Sequence, residues 1–279
     1  MDYQLGGVVP VSAIDRAALT PPERPGTDGE LTMSGKVAVI TGGSHGIGAG
    51  LVAGYRGQGW SVVVSARTIR SVEDPDVLTI AGDIAEPATA DRIIGAALDR
   101  FGRIDTLVNN AGVYISKPFT RYTADEYARI VGVNLTGFFL VTQRAITEMA
   151  RRYGGHVVNV WATLPEVANS GSPSVLAALT KGGLAAATRS LAIEHACLGI
   201  RVNAVFPGII QAPVHLADSY TDLGDPLTPL GWPGRVGDVV NGVLFLESSP
   251  YITGEILHID GGQIAGLGNE QCYEYLPPR

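Results

Sequence analysis

The sequence predicts an α/β fold: a Rossmann-type, doubly wound parallel sheet of about seven strands, with helices on both faces and a single domain. Three observations carry this. Short apolar runs without polar alternation recur along the chain, as strands buried on both faces require. Segments with helical spacing separate them, and strand–helix alternation builds parallel sheets. A glycine-rich turn, Thr41–Gly48 (TGGSHGIG), follows the first run and opens a helix.

The first strand is Val37–Ile40, and the second Ser61–Ala66. Val77–Gly82 is the third, and the run ending in LVNNAG (Leu107–Gly112) the fourth. His156–Ala162, Ile200–Gly208 and Glu255–Asp260 complete the set. Between the fourth and fifth strands, Ala124–Arg152 has helical spacing, and so does the stretch from about Ser174 to His195. The link between strands two and three is short, so one connecting helix is expected to be trimmed. Right-handed crossovers put every strand C-terminus on one edge, where ligands bind. Residues 1–33 hold Pro10, Pro21, Pro22 and Pro25 with little periodicity and read as an irregular arm. The domain is expected over residues 34–263, with a tail over 264–279.

The chain has 279 residues, 46% hydrophobic and 17% charged, enough for one large packed domain. Its net charge of -7 argues against nucleic acid and anionic membrane as partners, since both need clustered cations. No stretch is expected to supply the ~20 apolar residues that span a bilayer. Cys197 and Cys272 suggest neither a disulfide scaffold nor a metal site, and no signal peptide is visible, so a reducing cytoplasm is expected.

The glycine turn has a physical reading. Gly42, Gly46 and Gly48 let the backbone approach a pyrophosphate, and the helix N-terminus then faces the anion with free N–H groups. An NAD-type site would carry an acid at the end of the second strand; Ser65-Ala66-Arg67 stands there instead. An arginine fork grips a 2′-phosphate, so NADP(H) is expected over NAD, with a solvated loop arginine as the plain alternative.

These residues resemble the short-chain dehydrogenase/reductase family over roughly Lys36–Gly262, through TGGSHGIG, NNAG, Asn134 in VGVNLTG, Lys181, Pro207-Gly208 and YITGEILHIDGG. The resemblance implies that the cofactor lies against Gly42, Ser44, His45, Gly46, Ile47 and Gly48, with His45 and Arg67 near the extra phosphate. It places Asp83 and Ile84 at the adenine, and Asn110, Ala111 and Gly112 alongside. Pro207, Gly208 and Ile209 lie toward the nicotinamide, and Lys181 bonds its ribose. Asn134 holds a water in a proton relay. A homodimer or homotetramer is also implied, paired through the helix that contains GGLAAATRSLAIEH.

Four residues away from Lys181 the pattern breaks. The family places a tyrosine acid where this chain has Ala177. The family's serine position falls on Ala162 or Leu164, and its threonine after Pro207-Gly208 on Ala212. Reducing a ketone creates an alkoxide that needs stabilisation and a proton. Losing one such donor costs ~10²–10³ in rate. The segment NVWATL…LTKGGL also resembles the dienoyl-CoA reductase branch, which lacks the tyrosine in that motif. The candidate replacements are Tyr114, which also reads as a packing tyrosine, Glu166, which also reads as a solvated loop residue, and Thr163, the one hydroxyl near the family's serine position. Trp161 reads as a pocket wall or as core; His215, Tyr273 and Tyr275 are weaker candidates.

The reading leads to an NADP(H)-binding oxidoreductase that reduces an activated C=C, a C=N or an unusual C=O bond in a small molecule. Two alternatives stand beside it. One is a non-redox enzyme of the same fold, of cyclase or dehydratase type, in secondary metabolism. The other is an inactive partner subunit.

Overall fold

The computed structural model describes residues 35–161, 173–211 and 228–266. Within them nine strands and six α-helices form, in the order β1 (Val37–Thr41), α1 (Gly46–Gly57), β2 (Ser61–Ala66), β3 (Val77–Ala81), α2 (Pro87–Phe101), β4 (Thr106–Asn109), α3 (Ala124–Val131), α4 (Phe138–Ala150), β5 (Gly155–Val160), α5 (Val175–His195), β6 (Ile200–Pro207), β7 (Ile210–Gln211), β8 (Gly234–Arg235), α6 (Val236–Glu247) and β9 (Ile256–Ile259). Seven strands make one sheet in the order β3-β2-β1-β4-β5-β6-β9, parallel throughout. The strand order reverses between β1 and β4, and in open α/β sheets ligands bind in the crevice at such a point.

The apolar runs are buried for the expected reason. Val39 and Val63 face one layer, where α2 and α4 contribute Ile93, Ile94, Val141 and Met149. Ile40, Val62 and Val64 face the other, where α1 and α6 supply Leu51, Tyr55, Val239 and Val243. Full burial of one such aliphatic side chain is worth about 1.5–3 kcal/mol.

Helix ends follow local chemistry. Pro87 opens α2, and Gly102 ends it at φ 73°, a left-handed position that suits glycine. Thr123 and Glu126 form a capping box at the start of α3. Between β2 and β3 no helix forms. Arg56 on α1 pins that link through Asp74 and Asp76 at 3.0 and 3.2 Å.

Three features were not expected. The 124–152 helix is interrupted by a π-helical turn, Gly132–Gly137, with Asn134 inside it. Such turns occur mostly at functional sites. β7 and β8 pair as a separate two-stranded sheet after β6. The run Ala124–Ala150, with mean hydropathy 1.2, is also long and apolar enough to cross a membrane, contrary to the sequence reading. In this fold Val141, Ala145, Ile146 and Met149 of that run pack on the sheet as core.

Candidate active site

The site is built at the C-terminal edge of the sheet, where β1 and β4 part. Gly42 has φ +69°, and Gly46 has φ +55°. A Cβ on Gly42 would lie 2.8 Å from the Ala111 Cα, and one on Gly48 would lie 2.2 Å from the Gly42 carbonyl oxygen. Both glycines therefore serve close backbone approach. Gly43, which the sequence reading passed over, is equally constrained, since its Cβ would meet a Val64 methyl at 2.1 Å.

The β4 end locks this turn. Asn110 donates from Nδ2 to the carbonyls of Thr41 and Gly42, each at 3.0 Å. The Thr41 hydroxyl accepts from the backbone N–H of Asn110 and Ala111, each at 3.1 Å. Thr41 was not singled out in the sequence, because its partners lie 69 and 70 residues away. Helix α1 begins without a side-chain cap and without an acid in its first turn. Its first N–H groups are left for an anion. Ser44 and His45 are exposed beside it, with 2.9 Å between Ser44 Oγ and His45 Nδ1. Arg67 is exposed just past β2. Asp83 closes its own turn by accepting from the Ala85 N–H at 3.0 Å, and Ile84 is buried in the core.

A cavity of about 200 Å³ lies deeper along the same edge. Its walls come from Ile47 of α1, Asn110, Gly112, Val113 and Tyr114 after β4, Val160 and Trp161 at the end of β5, Lys181 of α5, and Pro207 and Gly208 at the end of β6. Gly208 is required there, since a Cβ would meet the Asp260 Cα at 2.7 Å. Ile209 follows and accepts the Gly234 N–H at 2.9 Å. Tyr114 is 41% exposed at this cavity. Trp161 is both wall and core: it is 2% exposed and meets Phe138 edge-on at 6.2 Å between ring centres. Its indole N–H is buried without an acceptor among the described residues. An orphaned donor in a cavity wall is the kind of group a ligand satisfies.

Asn134 is fully buried, and its side chain is spent on structure. Its Oδ1 accepts the Val113 N–H at 2.8 Å, while Nδ2 donates to the Val113 carbonyl at 3.0 Å and the Thr180 hydroxyl at 3.2 Å. It thus clamps the segment after β4 against α5. Both N–H bonds of its side-chain amide are thereby taken.

Ala177 and Lys181 lie one turn apart on α5, both buried. Burial alone lowers the Lys181 ammonium to a pKa of about 8. Thr163, Glu166, Ala162, Leu164, Ala212, His215, Cys272, Tyr273 and Tyr275 lie outside the described residues, as do the arm and most of the tail.

The family described as enoyl-(acyl carrier protein) reductase matches residues 42–263. The chain belongs to the short-chain dehydrogenase/reductase family. Among its relatives, the granaticin polyketide synthase putative ketoacyl reductase 2 of Streptomyces violaceoruber is 36% identical, over 81% of this chain and 95% of that protein. Among solved structures, ElxO with NADP bound is 27% identical, with a TM-score of 0.76 over 83% of this chain and 99% of that one. The 3-ketoacyl-(acyl carrier protein) reductase of Brucella melitensis, complexed with NADH, is 30% identical, with a TM-score of 0.74 over the same shares.

The cradle makes a direct prediction. Gly48→Ala places a methyl where the Gly42 carbonyl and the Asn110 amide already sit, 2.2 and 2.6 Å away. Overpacking of this kind costs ~1–3 kcal/mol. Thermal unfolding and dinucleotide titration by fluorescence should show a less stable protein with at least roughly tenfold weaker binding.

Proposed function

We propose that this chain is an NADP(H)-dependent reductase that acts on a small molecule with an activated C=C, C=N or C=O bond, without a tyrosine acid at position 177. The observation that carries this is the pairing of closely approaching backbone at Gly42 and Gly48 with a cavity lined by Lys181 of α5, a helix that carries the methyl of Ala177 one turn earlier.

The residues present suit the cofactor. Gly42, Gly46 and Gly48 leave room for a pyrophosphate at the α1 N-terminus. Asp83 and Ile84 flank the adenine side, with Asn110, Ala111 and Gly112 along the middle. Lys181 reaches the ribose, and Pro207, Gly208 and Ile209 back the nicotinamide. When bound, the dihydronicotinamide supplies the hydride. This chain's own residues would then position the acceptor between Tyr114 and Trp161 and exclude water from it. Thr163 and Glu166 remain candidates on the adjoining segment, while Asn134 would hold a relay water through its carbonyl.

Arg67 supports NADP(H) over NAD(H), because an arginine and not a carboxylate stands directly after β2, and no hydrogen bond or ion pair with a described residue occupies its guanidinium. A charge-assisted hydrogen bond is worth ~1.5–3 kcal/mol. Arg67→Ala should therefore weaken NADPH roughly 10- to 100-fold and leave NADH affinity unchanged, as read by titration calorimetry. Equal losses for both dinucleotides would remove the 2′-phosphate role.

The related ketoacyl reductases favour redox chemistry over a cyclase or an inactive subunit. A homodimer or homotetramer fits the outer face of α5, where Leu179 is 61% and Ile193 79% exposed and, among the described residues, no further atom lies within 4 Å of the Cβ positions of Gly182 and Gly183. Such a reductase belongs in a cytoplasm that keeps NADPH reduced. The experiment that tests the function is incubation with NADPH and a panel of acceptors: a β-keto thioester, an α,β-unsaturated thioester and a cyclic imine. NADPH oxidation coupled to a reduced product is expected with at least one. Product without cofactor turnover would overturn the reading.

A further inference from the structure

Lys181 is the one basic side chain in the cavity wall among the described residues. It is 8% exposed, and no described residue pairs with it by hydrogen bond or charge. The described wall offers no carboxylate to neutralise it; Tyr114 is the other titratable group there. Helix α5 itself brings only alanine, glycine, leucine and threonine within one turn on either side, and Thr180 is already bonded to Asn134 and to its own helix. A buried ammonium without a counter-charge favours giving up its proton. With a methyl at Ala177, no phenol side chain stands one turn away to take that proton.

We propose that Lys181 is the catalytic acid, handing its own proton to the substrate heteroatom on which charge develops as hydride arrives. This rests on the reductase reading above. The reductant is the dihydronicotinamide, which loses hydride and becomes the oxidised nicotinamide. The acceptor carbon gains a C–H bond, and its π pair moves to the heteroatom, directly or through a conjugated system. An O–H or N–H bond forms there as an Nζ–H bond of Lys181 breaks. The neutral amine then regains a proton from water. A lysine whose pKa burial has brought to about 8 is half-ionised near working pH, where general acids are most effective.

Two measurements test this. The chain has three lysines, Lys36, Lys117 and Lys181, so protein labelled with [¹³Cε]lysine gives three NMR signals. One should titrate near pH 8 and vanish in Lys181→Arg; three titrations all above about pH 10, the ordinary lysine range, would overturn the proposal. The second is single-turnover reduction of β-keto and α,β-unsaturated N-acetylcysteamine thioesters under saturating NADPH. Lys181→Arg keeps a cation for the ribose but cannot release a proton. It should bind NADPH within about fivefold of the wild type, yet transfer hydride ~10²-fold more slowly. Its rate should also lose the wild-type decline above about pH 8. An unchanged rate in Lys181→Arg would reduce Lys181 to a binding cation. A hundredfold loss in Tyr114→Phe, with Lys181→Arg unaffected, would assign the proton to Tyr114. If the wild type neither binds NADPH nor reduces either thioester, the reductase reading itself fails, which is a distinct result.

Discussion

Replacing Ala177 with tyrosine is expected to raise the rate of β-keto thioester reduction by ~10²-fold, the typical worth of one well-placed donor to a developing oxyanion. Ala177 is buried on α5, one turn before Lys181, which lines the cavity. A phenol at that position would share the cavity with the ammonium, which would favour its ionised form and ease proton transfer. Ala177→Phe adds nearly the same bulk without the hydroxyl, so it should give no gain. Steady-state kinetics on the three proteins, with NADPH binding checked in each, separates chemistry from packing. A tyrosine variant that binds NADPH normally and gains nothing would mean that the cavity does not direct position 177 at the reacting centre.

The second large effect lies at the opposite edge of the sheet. Glu247, at the end of α6, accepts from the Tyr55 hydroxyl at 3.0 Å, the Thr106 hydroxyl at 2.8 Å and His156 Nδ1 at 3.1 Å. Asn203 donates to His156 Nε2 at 3.0 Å and also to the Ile252 carbonyl, while its oxygen accepts the Glu255 N–H. This fixes the Asn203 amide, and with it a neutral His156 whose proton sits on Nδ1. The cluster ties α1, β4, β5, β6 and α6 together. Glu247→Ala would leave the buried Tyr55 and Thr106 hydroxyls and the His156 Nδ1–H without this acceptor, at ~1–3 kcal/mol each, so it should lower the unfolding midpoint by many degrees, as calorimetry would show.

The same cluster sets a pH dependence. Burial holds the His156 pKa below its usual value, with Glu247 only partly opposing. Burial also works against charge on Glu247, but the hydrogen bonds from His156 and Thr106 and the field of Arg201 outweigh it and hold that carboxyl below its usual value. Both folded-state values lie below the unfolded ones, so the unfolded chain takes up protons first as pH falls. Stability should be full above about pH 6.5, decline as the unfolded histidine protonates, and decline further below about pH 4.5 as glutamate does. Denaturant melts from pH 8 to 4 should show that slope, and His156→Gln should remove its upper part. A flat profile in the wild type would mean that these groups titrate alike in both states.

The sheet was legible because its signal is local. A short, β-branched, unalternated run such as Ser61–Ala66 suits a strand buried on both faces, and β2 has those bounds. Gly42, Gly46 and Gly48 were legible because spacing alone demands a tight turn. Gly43 was not, because its constraint is a Val64 methyl on the neighbouring strand. Neither was the π-helical turn around Asn134, whose backbone shift leaves no mark in residue type. The Glu247 cluster was invisible for a similar reason: Tyr55 and Glu247 are 192 residues apart, and only the sheet order brings them together. Ala177 stood out in the sequence because a motif predicts what should be there, whereas Trp161 needed the cavity to show that it is both wall and core.

Hydride is expected to cross this cavity although position 177 carries no acid. Hydride transfer is read most directly by reduction with NADPH dideuterated at C4, followed by mass spectrometry of the product from β-keto and α,β-unsaturated thioesters. The expected product is one mass unit heavier, with the label at the former acceptor carbon and NADP⁺ formed in equal amount. A product that contains no deuterium, or label that stays wholly on the dinucleotide with every acceptor, would contradict it.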